Sequence, residues 1–265
     1  MSDHRAKKRF GQHFLHDPSA IDRIIGAVNP QPGENLIEIG PGLGAITTHL
    51  LEKAQTLHVV ELDRDVIPHL QEKCRGVGEL VVHQGDALKF DFGTLADEIG
   101  SPLRLVGNLP YNVSSPLLFH FLKYRAVIRD MHFMLQKEVV DRMAAPPGSK
   151  TYGRLSVMLA ADCRITPLFT IRPGAFNPPP KVDSAVVRLQ VLDEPAFPLP
   201  DRALFQKVVT QAFSQRRKTL RNTLKGLIDA DTIAACGIDP GLRPEAIAPA
   251  DFGCLAAALA GHEAG

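Results

Sequence analysis

The segment "NLIEIGPGLGAITTHL" at 35–50 constrains the fold more than any other part of this 265-residue chain. A short β-rich apolar run leads into a loop with glycines at 40, 42 and 44, and a helix-like stretch follows. Glycines let such a loop tighten and let a ligand approach the main chain, so strand, loop and helix in this order form a turn suited to a nucleotide-like ligand. The rest of the chain supplies a sheet behind that turn. Apolar runs at 35–40, 57–62, 79–84, 103–108 and 131–136 alternate with helix-periodic stretches, which predicts a doubly wound, Rossmann-like α/β sheet with helices on both faces. Two later runs, 164–171 and 184–191, are expected to close the sheet as an antiparallel pair.

Past 191 the pattern changes. "LDEPAFPLPD" (192–201) carries three prolines and reads as a linker. "RALFQKVVTQAFSQRRKTLRNTLKGLI" and two shorter helical stretches broken by "GIDPGLRPE" follow, with no β-rich run. The expected division is a Rossmann-like domain over 1–193 with a basic N-terminal arm (1–20), and a small all-helical domain over 194–265. No apolar stretch approaches the roughly 20 residues of a spanning helix, and "MSDHRAKKRF" lacks the apolar core of a secretory signal, so a cytoplasmic protein with no membrane partner is expected. The four cysteines form no C-x-x-C pair and have no histidine at ligand spacing; they read as packed thiols, and nothing calls for a metal. A monomer is expected.

Gly40-x-Gly42-x-x-Ala45, with Glu61 21 residues beyond Gly40, satisfies the loose dinucleotide pattern, so an NAD-linked oxidoreductase is one reading. Three features point elsewhere. Glu38 sets a carboxylate beside the loop, which suits an ammonium-bearing ligand better than a pyrophosphate. Asp86 follows the third strand, where it can accept from an adenine amino group. The fourth strand ends in Asn108-Leu109-Pro110-Tyr111. All would line one crevice at the carboxyl ends of successive strands.

The order "EIGPGLG", "VVELD", "QGDAL", "NLPYN" resembles the S-adenosylmethionine-dependent methyltransferases, and within them the ribosomal RNA adenine dimethyltransferases, which modify two adjacent adenosines near the 3′ end of small-subunit rRNA. The likeness extends to "KKRFGQHFLHD", to "FNPPPKVDSAVVRL" (176–189) and to "AFSQRRKTLRNTL" (212–224), nearly the whole chain. It implies S-adenosylmethionine as cofactor, with contacts on His13, Leu15 and Gly40, Glu61 on the ribose hydroxyls, Asp86 on the adenine and Asn108 beside the methyl donor; Gly42 joins the cofactor set as part of the glycine loop. It implies 16S rRNA in an immature 30S particle as partner and a role in small-subunit biogenesis. Glu38 joins the cofactor set on chemical grounds alone.

Adenine N6 is a poor nucleophile because its lone pair is drawn into the ring. Asn108 Oδ1 and the Leu109 carbonyl can both accept from the N6 hydrogens, with Pro110 fixing the direction of that carbonyl and Tyr111 offering a face for a flipped base. Phe176 is expected to supply a second aromatic wall, as the corresponding aromatic does in relatives. Ser114 and Ser115 are expected to cap the following helix. Arg217, Arg221 and Lys225 recur every four residues and are expected to share a helix face. With Arg216 and Lys218 they predict an RNA-phosphate stripe, and Arg5, Lys7, Lys8 and Arg9 predict a second basic patch in the arm. Within the same chemistry, a methyltransferase acting on large-subunit rRNA or on DNA is a rival; a protein whose main effect is to bind an immature subunit is another.

Overall fold

The glycine loop sits at the edge of a seven-stranded mixed sheet in the computed structural model, which describes residues 13–263; Arg5, Lys7, Lys8 and Arg9 lie outside the described residues. The strands are β1 (Phe14–Leu15), β2 (Asn35–Ile39), β3 (Thr56–Glu61), β4 (Glu79–Gln84), β5 (Leu103–Asn108), β6 (Ile128–Gln136), β7 (Cys163–Ile171), β8 (Phe176–Asn177) and β9 (Ser184–Val191). The sheet order is β4-β3-β2-β5-β6-β9-β7, while β1 and β8 form a separate antiparallel pair. β2 to β6 run parallel to one another and β9 runs antiparallel to β6.

The chain divides into two compact units, residues up to Val140 together with Thr166–Val191, and Asp141–Ile165 together with Leu192 onward. The first unit holds the glycine loop. Helix Pro18–Val28 opens where the Asp17 side chain accepts from Ser19 N (2.9 Å). Its spacing of Ile21, Ile24, Ile25 and Val28 buries one stripe against Leu36, Val106, Met134 and Val186 of the sheet. Below that helix lies a buried charge network. Arg104 Nε donates to both Asp130 oxygens (3.1 Å each), Nη1 to Glu34 (2.6 Å) and Nη2 to the Val28 carbonyl (2.8 Å). Arg129 adds bonds to Glu34 (2.6 Å) and Asp130 (3.1 Å), so the starts of β5 and β6 are tied to the end of the helix.

The second unit has its own core of Phe205, Val208, Val209, Leu220, Leu224, Ile233, Phe252 and Leu255. Residues 141–165, which the sequence groups with the sheet, belong to this unit; Tyr152, Val157 and Ala161 join its core. The proline-rich 192–201 segment also packs, with Phe197 and Leu199 against the same cluster and Ala196 N donating to Ala161 O (3.0 Å). Its prolines remove donors without removing apolar side chains, which is why it looks like a linker in sequence. The segment expected to be one long helix is two, Arg202–Ala212 and the four-residue Leu220–Thr223, separated by turns. Arg217 precedes the short helix and Lys225 follows it, so Arg217, Arg221 and Lys225 do not share one helix face; they are nevertheless exposed, as are Arg216 and Lys218, while Leu220 and Leu224 are buried. Cys74 and Cys163 are buried thiols, but Cys236 is half-buried and Cys254 exposed. Among the described residues no helix is long and apolar enough to cross a membrane, and no group of three or more His, Cys, Asp or Glu could hold a metal.

Candidate active site

The parallel register sets the ends of β2, β3, β4 and β5 side by side, with Ile39 opposite Val60, Glu61 opposite Gln84 and Glu38 opposite Val106. A cavity of about 460 Å³ opens there, lined by His13, Leu15, Glu38, Gly40, Gly42, Glu61, Asp86, Asn108, Leu109, Pro110 and Tyr111 among others. Nine of these positions, from Glu38 to Tyr111, meet at one sheet edge because a parallel strand always returns its carboxyl end to the same side, while His13 and Leu15 reach the cavity from the separate β1–β8 pair.

The glycine loop is held from both sides. Gly40, Gly42 and Gly44 all have positive φ (65°, 53° and 73°), the left-handed region that side chains disfavour. Gly40 N donates to Val60 O (2.9 Å) and Gly42 N to Glu61 Oε2 (3.0 Å), while Lys73 Nζ donates to Gly44 O (2.7 Å). Glu61 Oε1 accepts from Asp63 N (2.8 Å), so the carboxylate that the sequence aims at a ribose is pinned through both oxygens. Burial pushes its carboxyl up, against the pull of those N–H groups. Asp86 is braced through one oxygen, Oδ1, by Leu88 N (3.0 Å).

Glu38 is different. It is buried, and Oε2 has no hydrogen-bond partner. Burial, reinforced by the Glu61 charge and opposed by the Thr47 hydroxyl and the Lys73 ammonium, pushes its carboxyl up to about 8. A buried acceptor without a donor is costly by about 1–3 kcal/mol, so this wall is built for a ligand that brings donors. The lining contains Glu38, Glu61, Asp63 and Asp86 against one lysine, whose ammonium is already turned to the loop carbonyls. A pyrophosphate finds this lining poor in cations, whereas a cationic ligand can draw the proton from Glu38 and meet a carboxylate, so the lining favours a cationic ligand over a dinucleotide.

At the other end of the cavity the "NLPY" turn is fixed by its own backbone. Leu109 N donates to Met134 O (3.2 Å) and Val113 N to Pro110 O (3.2 Å). Ser114 starts the next helix rather than capping it: its Oγ donates to Tyr111 O (3.3 Å), and Val113 occupies the cap position without a side-chain bond. Asn108 Nδ2 donates to the His13 carbonyl (3.2 Å), which leaves the amide oxygen as the free end. The Tyr111 hydroxyl shares a 2.6 Å hydrogen bond with Ser184 Oγ, and the His13 ring stacks on the Tyr111 ring at 5.6 Å and 29°. His13 Nδ1 is 2.8 Å from Pro178 O, and the β1–β8 pairing sets Leu15 opposite Phe176.

Phe176 itself is not brought to the site. It is only 2 % exposed, packs in the core with Leu15, Ile171 and Val186, and does not line the cavity. The aromatic neighbour that Tyr111 does have is His13. Sequence reasoning missed three cavity residues with evident work: Phe14, whose ring covers Gly42, Lys73, which clamps the loop, and His132, a buried polar residue among the apolar Met131, Phe133 and Met134 of β6. Only the last left a signal, since a histidine inside "MHFMLQ" breaks the run.

Residues 3–255 match the family model described as ribosomal RNA adenine dimethylase. Proteins called ribosomal RNA small subunit methyltransferase A are 56% identical in Pseudomonas putida, over 98% of this chain and 97% of that protein, and 56% identical in Aromatoleum aromaticum, over 95% and 93%. A dimethyladenosine transferase from Plasmodium falciparum has a similar structure, with TM-score 0.69 and 29% identity over 85% of this chain and 78% of that one. The fold of a 23S rRNA methyltransferase, ErmE, is also similar, with TM-score 0.71 and 23% identity over 93% and 99%. By the match along nearly its whole length and the identity to its relatives, the chain belongs to the ribosomal RNA adenine dimethylase family.

Proposed function

We propose that this enzyme transfers methyl groups from S-adenosylmethionine to N6 of two adjacent adenosines near the 3′ end of 16S rRNA, giving N6,N6-dimethyladenosines, and that it acts as a cytoplasmic monomer on an immature 30S particle. The observation that carries the reading is the pairing of an acidic, cation-accepting cavity with a rigid Asn108–Tyr111 turn at its far end. The residues fit the cofactor. Glu38 would meet the ammonium, Glu61 the ribose and Asp86 the adenine, with Gly40, Gly42, His13 and Leu15 closing around it. S-adenosylmethionine supplies an electrophilic methyl group on sulfur.

The chain's part is to hold and aim the base. Asn108 has its amide nitrogen occupied by His13 O, so its oxygen is the end left to accept an N6 hydrogen. The Leu109 carbonyl, set by the Leu109 N–H bond to Met134 and by Pro110, accepts the other. Two acceptors localise the nitrogen lone pair and direct it, so catalysis comes from position and hydrogen bonding. The N6 proton becomes acidic only once nitrogen carries the methyl group, so no strong base is required. The Tyr111 ring, fixed by Ser184, gives the base a stacking face; His13 covers one side, so the base takes the other or displaces it. Phosphate contacts are assigned to Arg216, Arg217, Lys218, Arg221 and Lys225, all exposed, and to the arm cations Arg5, Lys7, Lys8 and Arg9.

The test is transfer of labelled methyl from S-adenosylmethionine to unmethylated 30S subunits, wild type beside Asn108→Ala, with the product nucleoside identified. Labelled N6,N6-dimethyladenosine from wild type alone supports the assignment. Cofactor binding with no transfer to subunits would move the substrate to another nucleic acid.

A further inference from the structure

Glu38 is not the one orphan on the cavity wall. His132 on β6 is 3 % exposed and lines the same cavity, and its Nε2 has no hydrogen-bond partner. The register explains how the two meet. Glu38 lies opposite Val106, and Val106 opposite His132, so all three point to the same face of the sheet in one cross-strand row. Glu38 and His132 are two strands apart, about 9–10 Å between backbones, with the shorter Val106 between them. Two longer side chains flanking a shorter one can converge on a single group above it.

The tautomer follows from the other side of the ring. His132 Nδ1 is 3.3 Å from Asp130 Oδ1, within ion-pair distance but without hydrogen-bond alignment. Although burial opposes ionisation, the His132 contact and the Arg104 guanidinium hold the Asp130 carboxyl at about 2, so a carboxylate faces Nδ1. A carboxylate beside Nδ1 favours the tautomer with the hydrogen on that nitrogen, and Nε2 is then an acceptor. The wall thus presents two buried acceptors, Glu38 Oε2 and His132 Nε2, and a group with several N–H donors is what satisfies both.

We propose that His132 is a binding residue for the amino-acid end of the cofactor: Nε2 accepts one N–H of its α-ammonium while Glu38 accepts another. The proposal rests on the S-adenosylmethionine reading above. It assigns to the buried Arg104–Asp130 network a second task, setting the tautomer of a ligand contact at the cavity floor.

The experiment is calorimetric binding of S-adenosylhomocysteine and of its analogue lacking the amino group to the full-length protein, in wild type, His132→Leu and His132→Gln. Wild type should favour the amine. His132→Leu should lose about ten- to a hundredfold of that preference, the usual worth of one hydrogen bond to a charged donor, and His132→Gln should recover part of it. A preference unchanged in His132→Leu, with S-adenosylhomocysteine still bound, overturns the proposal and leaves the cofactor reading standing. Failure of both ligands to bind wild type overturns both. Since His132→Leu also removes a partner of Asp130 and can unfold, the wild-type ring is followed as well by nitrogen-15 NMR. The amine should shift the Nε2 resonance and the analogue should not; equal shifts count against the contact.

Discussion

Glu38 offers the sharpest quantitative prediction, because its buried carboxyl titrates near 8 in the free protein and its proposed ligand carries a positive charge. At pH 7 a group with that value is about nine-tenths protonated, and at pH 8 about half. An ammonium brought against it favours the charged form, so binding S-adenosylhomocysteine should expel the proton. The release is therefore about 0.9 protons per site at pH 7 and about 0.5 at pH 8. Titration calorimetry in phosphate and in Tris measures it, since the apparent enthalpies differ by the proton count times the difference in buffer ionisation enthalpy. Glu38→Gln has no proton to lose and should remove the buffer dependence. Identical enthalpies in the two buffers at pH 7, or a dependence that survives in Glu38→Gln, would refute the reasoning. The same shift has a stability consequence with a definite sign. The folded pKa is raised from 4.5 to about 8, so between those values the folded chain holds a proton that the unfolded chain has released. Stability of the ligand-free protein from this group therefore falls as pH rises from about 4.5 to 8, by at most about 4–5 kcal/mol. Glu38→Gln should flatten that fall in urea unfolding curves.

Asn108→Ala removes one of two acceptors for N6 and should lower methyl transfer by about 10²–10³-fold, read in single-turnover assays, with S-adenosylhomocysteine binding reduced far less. Arg104→Ala leaves Asp130 and Glu34 short of a buried partner and should cost about 3–5 kcal/mol in denaturant unfolding. A Cβ added at Gly107 would overlap the Ile39 carbonyl oxygen of the neighbouring strand. Gly107→Ala should thus force β2 and β5 apart and lower the melting temperature, while Gly26→Ala, which meets nothing within 4 Å, should not. Replacing any one of Arg216, Arg217 or Arg221 by Ala should weaken subunit binding and lower the slope of log affinity against log salt by about 1.

The local features of this protein were legible in its residues. The strands lie where short apolar runs alternate with helical periodicity, and the glycine loop lies where three glycines permit positive φ; both depend on neighbouring residues and so are written in short stretches of chain. The grouping of Glu38, Glu61, Asp86 and Asn108 was also legible, because parallel strands deliver their ends to one edge. What the sequence misplaced depends on distant partners. A basic stretch with helical spacing breaks into turns at 213–219. A proline-rich segment packs because Phe197 and Leu199 find an apolar cluster, and Phe176 turns into the core rather than the cavity. The ionisation of Glu38 and the orphaned nitrogen of His132 were beyond reach for the same reason. The desolvation of a side chain, and the presence or lack of a donor beside it, are properties of everything packed around it, and only the tertiary structure decides them.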